Sequence, residues 1–175
     1  MISKFRFFAF SVLTALSLSL CTAMWAQGFS AIEGPVSVLP LDPVTVTLGH
    51  EAPIAITVRI QNGYHINSNK PLSTALKPTQ LHVSLPETLI LLGTQYPTGK
   101  MTDSPFEPPG EKLSLYSGDV TIKTMVRARS KSMLGGYTVH AELQYQACDN
   151  RACYPPKTVP FEFMVNVARP PREKK

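Results

Sequence analysis

The chain of 175 residues is long enough for one domain with a hydrophobic core of its own. Its formal net charge is +5, but the basic residues are scattered, which argues against the clustered basic patch with interleaved aromatics that a nucleic-acid surface needs. Sixteen prolines, about twice the average usage, exclude a predominantly helical fold.

The first 26 residues have the pattern of a secretory signal peptide. Two basic residues precede an uncharged apolar run at 7–20, and small residues follow at Ala23 and Ala26. The apolar run is shorter than the roughly 20 residues that span a bilayer. We therefore expect this segment to be removed and the mature protein to be soluble outside the cytoplasm. Membrane anchoring, through a lipid on Cys21 or through an uncleaved signal, is the lesser alternative.

Residues 27–168 are predicted to form a single domain of short β-strands. Eight segments have strand patterns: seven alternate apolar and polar residues, which is the period of half-buried strands, and the segment 89–92 is apolar throughout. Turn signals such as Asn62-Gly63 and Gly135-Gly136 separate them. The segments are 44–48, 54–60, 81–85, 89–92, 113–115, 120–126, 137–145 and 159–167. Eight or nine antiparallel strands indicate an all-β, immunoglobulin-like sandwich, and residues 169–175 are predicted to be a disordered tail.

The last predicted hairpin carries a cysteine pair, Cys148 and Cys153, which are the only cysteines after the predicted signal. A disulfide between them would close a ring of six residues. In the chain-entropy model so short a ring stabilises the fold by only roughly 2 kcal/mol. A bridge at an exposed turn is, however, open to attack by a thiolate. The pair therefore indicates redox chemistry more than structural reinforcement.

The register of this hairpin can be predicted from alternation. If Cys148 and Cys153 lie opposite each other, every odd position faces an even one, yet the apolar residues are odd on both strands, as at Leu143 and Val159. One strand must therefore contain an additional unpaired residue between the cysteines and Val159. Pro155–Pro156 is the predicted place for this bulge, because proline cannot donate to a β-ladder. The same alternation predicts Cys148 on the polar face, with its sulfur near the surface.

Several segments resemble a known family. The cysteine motif runs from Tyr145-Gln-Ala-Cys148 to Cys153-Tyr-Pro-Pro156 and is followed by Lys157-Thr-Val-Pro160, with Gly63-Tyr-His-Ile-Asn-Ser-Asn69 and Leu115-Tyr-Ser-Gly-Asp-Val120 upstream. Over roughly residues 35–167 the chain resembles the amino-terminal domain of the periplasmic thiol reductase DsbD.

This resemblance implies an immunoglobulin-like domain that acts as a periplasmic thiol-disulfide oxidoreductase. Its cysteine pair would alternate between dithiol and disulfide without a bound cofactor. The second cysteine, here Cys153, would form the mixed disulfide with partners, and Cys148 would resolve it. The implied donor is a thioredoxin-like protein or a membrane thiol reductase. The implied acceptors are periplasmic thiol-disulfide proteins, with cytochrome c maturation factors among the candidates, and the domain is expected to be a monomer.

The resemblance also implies a cap loop that shields the disulfide from stray thiols. In this chain the cap corresponds to the loop from Tyr96 to Gly110, with Phe106 as the covering aromatic and Asp103 and Glu107 beside it. The alternative is that Phe106 is a loop aromatic packed against the sandwich.

Three further residues are candidate neighbours of the site. Tyr145 and Tyr154 flank the cysteines and either tune access to them or only pack the hairpin. His65 either neighbours the site or is a hydrogen-bonded strand or turn residue. No metal site is predicted, since zinc ligands usually come as a two-residue cysteine spacing with a second ligand pair.

A second function class stays open on sequence grounds. The chain could be a secreted immunoglobulin-like binding module whose short disulfide only pins a hairpin. Its function would then be carried by loops such as 96–110.

Overall fold

The computed structural model describes residues 34–103 and 112–171, which form twelve β-strands and, within these ranges, no helix. The strands are β1 (Val36–Val38), β2 (Val44–Thr47), β3 (Glu51–Ile60), β4 (His65–Asn67), β5 (Gln80–Ser84), β6 (Leu89–Gln95), β7 (Lys100–Asp103), β8 (Lys112–Tyr116), β9 (Asp119–Ala128), β10 (Gly135–Tyr145), β11 (Ala147–Cys148) and β12 (Lys157–Ala168).

The first sheet has the order β1-β3-β9-β6 and is antiparallel throughout. Its central strands show the predicted alternation, since Ile54 and Ile56 are fully buried whereas Ala55 between them is exposed. A register shift between Leu91 and Gly93 marks a β-bulge in the edge strand β6.

The second sheet has the order β2-β12-β10-β5. Strands β10 and β12 form its longest ladder, which runs from Gly135 opposite Val167 to Tyr145 opposite Lys157. Strand β2 pairs with β12 in parallel, which differs from the expectation of antiparallel strands alone. The reason is that β1 and β2 follow each other closely across Pro40 and Pro43, so the chain changes sheet without reversing.

The core lies between these two sheets. It joins buried residues of the first sheet, such as Ile56 and Ile122, to buried residues of the second, such as Leu143 and Val165. The predicted all-β, immunoglobulin-like sandwich is confirmed.

A third sheet, with the order β11-β4-β8-β7, was not predicted. Its strands are two to five residues long, and all four residues of β7 are exposed, so most of it has no alternation to detect. The predicted turn at Gly135-Gly136 is also wrong. Both glycines begin β10, and the turn lies earlier, where the N–H of Ser132 donates to the carbonyl of Arg129 at 3.0 Å.

The predicted signal segment 1–26 and the end of the predicted tail, 172–175, lie outside the described residues. The domain boundaries at 27 and 168 therefore stay a prediction, although the last strand does end at Ala168. Among the residues that the structure describes, no helix is long and apolar enough to cross a membrane.

Candidate functional site

Cys148 and Cys153 form a disulfide at the tip of the hairpin between β10 and β12. Cys148 ends β11, and Cys153 faces it in an isolated antiparallel bridge with the Cα atoms 3.9 Å apart. The turn between them is closed by the Asp149 N–H, which donates to the carbonyl of Ala152 at 3.0 Å.

The predicted shift of register is confirmed. The N–H of Tyr154 donates to the carbonyl of Ala147 at 2.8 Å, and Tyr145 pairs with Lys157. Between these two pairings one residue lies on the first strand, whereas Pro155–Pro156 lies on the other. The additional residue is therefore absorbed by the prolines.

The predicted exposure of Cys148 is wrong, because this residue is 1% exposed whereas Cys153 is exposed. After Gln146 the chain leaves the second sheet, and β11 pairs with β4 of the third sheet. Ala147 and Cys148 are consecutive and both buried, so the alternation that holds along β10 ends before the cysteine. The two sulfurs thus belong to residues of opposite accessibility.

Asp149 was not singled out by the sequence, yet its carboxylate organises the turn. Its Oδ1 accepts the N–H groups of Arg151 and Ala152 at 2.7 and 2.8 Å, and its Oδ2 accepts the hydroxyl of Tyr154 at 2.7 Å. An aspartate that accepts hydrogen bonds from the backbone two and three residues further on is common in turns. Its position directly after Cys148 could have indicated this role from the sequence.

These hydrogen bonds stabilise the ionised carboxylate. The Tyr154 hydroxyl first, and then the Ala152 and Arg151 N–H groups, lower the pKa of Asp149 from 3.8 to about 2. The same contact with Asp149 raises the pKa of Tyr154 to about 12. The turn beside the disulfide therefore carries a fixed negative charge at neutral pH, and Tyr154 stays a neutral hydrogen-bond donor.

His65 lies beside the disulfide, since it is the register partner of Cys148 in the pairing of β4 with β11. It is half-buried, and burial lowers the pKa of its imidazole, although the negative charge of Asp149 raises it in part. The structure therefore brings His65 to the site as a predominantly neutral ring at pH 7.

An apolar pocket of about 330 Å³ adjoins the accessible side of the hairpin. Tyr64, Tyr145 and Tyr154 all line it; the ring centroids of Tyr64 and Tyr154 lie 6.1 Å apart, and Tyr145 is 1% exposed. The remaining lining residues are Pro35, Ala147, Pro155, Pro156 and Lys157. Tyr145 thus packs in the core, whereas Tyr154 is accessible next to Cys153.

Gln146 connects the hairpin to the third sheet. Its Oε1 accepts the Asn67 side-chain N–H at 3.2 Å and the Lys77 N–H at 3.0 Å. Its Nε2 donates to the carbonyl of Tyr154 at 3.2 Å. The strand that follows Cys153 is therefore tied to β4 by one side chain, which the sequence did not single out.

The predicted cap is only partly described. Asp103 ends β7, is exposed and pairs with Lys112, and β7 and β11 form opposite edges of the third sheet. Phe106 and Glu107 lie outside the described residues. The cap therefore stays a prediction. Within the ranges 34–103 and 112–171, no group of three or more His, Cys, Asp or Glu residues is placed to hold a metal ion.

Comparison with known proteins gives one family match. The family described as "Thiol:disulfide interchange protein DsbD, N-terminal" matches residues 36–164. No curated protein sequence matches the chain.

Two solved structures resemble the chain at low identity. The N-terminal periplasmic domain of ScsB from Proteus mirabilis is 12% identical with a TM-score of 0.47, over 74% of this chain and 44% of that one. The seventh ScaB type I cohesin from Pseudobacteroides cellulosolvens is 12% identical with a TM-score of 0.49, over 80% of this chain and 96% of that one. The family match includes both cysteines and most of the described residues.

Proposed function

Because the chain belongs to the family of N-terminal domains of the thiol:disulfide interchange protein DsbD, we propose that Cys148 and Cys153 shuttle electrons between partner proteins in the periplasm. Thiol-disulfide interchange is the activity of the family. The donor is a thioredoxin-like protein or a membrane thiol reductase, and the acceptors are periplasmic thiol-disulfide proteins, including those that serve cytochrome c maturation.

The observation that carries the proposal is the unequal accessibility of the two cysteines. Cys153 is exposed and can meet the sulfur of a partner, whereas Cys148 is 1% exposed and faces Cys153. An accessible thiol that attacks and a buried thiol that resolves are the two parts that exchange through a mixed disulfide requires.

The exchange proceeds in two successive thiolate attacks. The Cys153 thiolate attacks one sulfur of the acceptor disulfide, which forms a mixed disulfide and releases one acceptor thiolate that takes up a proton. The Cys148 thiolate then attacks the Cys153 Sγ and expels the second acceptor thiolate. Two electrons and two protons pass to the acceptor, and the internal disulfide that remains is reduced by the donor through the reverse steps.

Native reduction tests the proposal. The purified mature protein should show no free thiol, and it should show two after equilibration with a thioredoxin-like reductant without denaturant, counted by alkylation and mass spectrometry. The reduction potential should lie above about −300 mV, because structural bridges in secreted proteins typically lie below that value. A bridge that resists the reductant until the protein is unfolded would instead support the binding module with a structural disulfide.

A further inference from the structure

We infer that Asp149 is a positioning residue for the exchange reaction, whose carboxylate keeps Cys153 opposite Cys148 after the disulfide has been reduced. This inference rests on the proposed function and adds a residue to it. Asp149 acts through its hydrogen bonds to Arg151, Ala152 and Tyr154, on the backbone around the sulfurs.

The carboxylate binds the chain on both sides of Cys153. One oxygen accepts the N–H of Ala152, directly before this cysteine, and the other accepts the hydroxyl of Tyr154, directly after it. The N–H of Arg151 is a third donor to the same carboxylate. Cys153 is thus held between two residues that share one anchor, and the anchor itself directly follows Cys148.

None of these contacts involves a sulfur atom. The backbone bonds from Asp149 to Ala152 and from Tyr154 to Ala147 lie on either side of the cysteine pair and close the same turn. When the disulfide is reduced, the turn gains freedom to open, and the carboxylate contacts oppose that opening. The dithiol then keeps the geometry in which the next disulfide forms.

The charges around Asp149 favour this role at the pH of the exchange. The Tyr154 hydroxyl stabilises the ionised carboxylate most and the charge of Arg151 on the turn adds to this, while the imidazole of His65 on β4 interacts with the negative charge of Asp149. Because the pKa of Asp149 is about 2, the anchor is ionised throughout the range in which thiols exchange.

The consequence is a higher effective concentration of Cys148 at Cys153. Removal of the carboxylate destabilises the disulfide form and the closed dithiol equally, but it leaves the open dithiol unchanged. The equilibrium constant for ring closure therefore falls. In the mixed disulfide the same opening slows attack by Cys148, so the bound partner is released more slowly.

Two substitutions separate the hydrogen bonds from the charge. Asp149→Ala removes both, whereas Asp149→Asn removes the charge and keeps a side-chain oxygen for the N–H groups of Arg151 and Ala152. In glutathione redox buffer, with the mature protein native and the fraction of dithiol read by alkylation and mass spectrometry, Asp149→Ala should lower the ring-closure constant by up to about tenfold. This limit is the loss seen when a side chain that accepts backbone N–H groups at a helix N-cap is replaced by alanine. Asp149→Asn should stay within about threefold of the parent protein.

Tyr154→Phe serves as the third variant, since it removes only the hydroxyl contact and should fall between the other two. A ring-closure constant in Asp149→Ala equal to that of the parent protein would overturn the inference and leave the shuttle intact. An equal drop in Asp149→Asn and Asp149→Ala, together with an unchanged constant in Tyr154→Phe, would assign the effect to charge and also overturn it. If Asp149→Ala does not fold, Tyr154→Phe decides alone: a lower ring-closure constant supports the inference, and a constant equal to that of the parent protein overturns it. Failure of the parent protein to be reduced in its native state would refute the proposed function itself.

Discussion

Reduction of the Cys148–Cys153 disulfide should leave the protein folded but less stable by about 2 kcal/mol. The two cysteines are five positions apart, so the bond closes a ring of six residues. The entropy that such a ring removes from the unfolded chain corresponds to about 2 kcal/mol at 25 °C. A shuttle needs a disulfide that contributes only this little to the free energy of unfolding, because the protein must stay folded in both the dithiol and the disulfide form.

The rest of the domain explains why the fold persists without the bond. Strands β10 and β12 pair over eleven positions, and the core between the two large sheets is built from residues far from the hairpin tip. The backbone bonds around Asp149 and Tyr154 involve no sulfur atom, so reduction removes neither their donors nor their acceptors.

Equilibrium unfolding in urea, with and without a reductant, measures this difference. The free energy of unfolding should fall by about 2 kcal/mol with an unchanged slope against urea, and the midpoint of thermal unfolding should fall by about 4–8 °C. A variant with both Cys148→Ala and Cys153→Ala is the matched control, because its stability should not respond to the reductant.

A loss above about 4 kcal/mol, or a broad transition with an altered slope, would refute the reasoning. Either result would mean that the bond organises the folded state beyond its own small ring. The disulfide would then be a structural staple, and the shuttle would lose its physical basis.

Four further expectations can be tested with single variants or titrations. Cys148→Ala, incubated with an oxidised partner, should accumulate a covalent adduct that dithiothreitol releases, and Cys153→Ala should accumulate far less; equal trapping by the two variants would contradict the assigned roles. Phe106→Ala should speed reduction by a small thiol with thermal stability nearly unchanged, and an unchanged rate would remove this residue from the cap. By NMR, His65 should titrate below the ordinary 6.5, and Asp149→Asn should lower its pKa further because the negative charge of Asp149 raises it; no further decrease would contradict this coupling. Because the pKa of Asp149 is depressed from 3.8 to about 2, its contribution to stability should be complete above about pH 4 and lost as the pH falls through about 2, whereas Asp149→Asn should lack this step in acid unfolding.

Much of the sandwich could be predicted because long strands carry their own signal. The segments 120–126, 137–145 and 159–167 alternate over several periods, and each lies within a strand of the structure. The cysteines pair an even with an odd position, whereas the apolar residues of both strands, such as Val159, are odd. This difference correctly predicted an additional unpaired residue at Pro155–Pro156. Both results follow from local rules, namely the two-residue period of a strand and the missing N–H of proline.

The third sheet could not be predicted, because its strands are too short to carry a signal of their own. Strands β4 and β11 are three and two residues long, too short to show a period, and they are identified only by the partners they meet. The pairing of His65 with Cys148 joins distant parts of the chain, so no local pattern could indicate it.

The sequence by itself determined the fold class and the register of the last hairpin, because each depends on alternation and turn signals among residues close together in the chain. Only the tertiary structure decided that Cys148 is the buried residue of the pair. The chain passes from one sheet to another at Gln146, and Cys148 is buried against β4 while Cys153 stays exposed. Burial is a property of the neighbours that a residue acquires in the folded protein, and those neighbours come from distant strands.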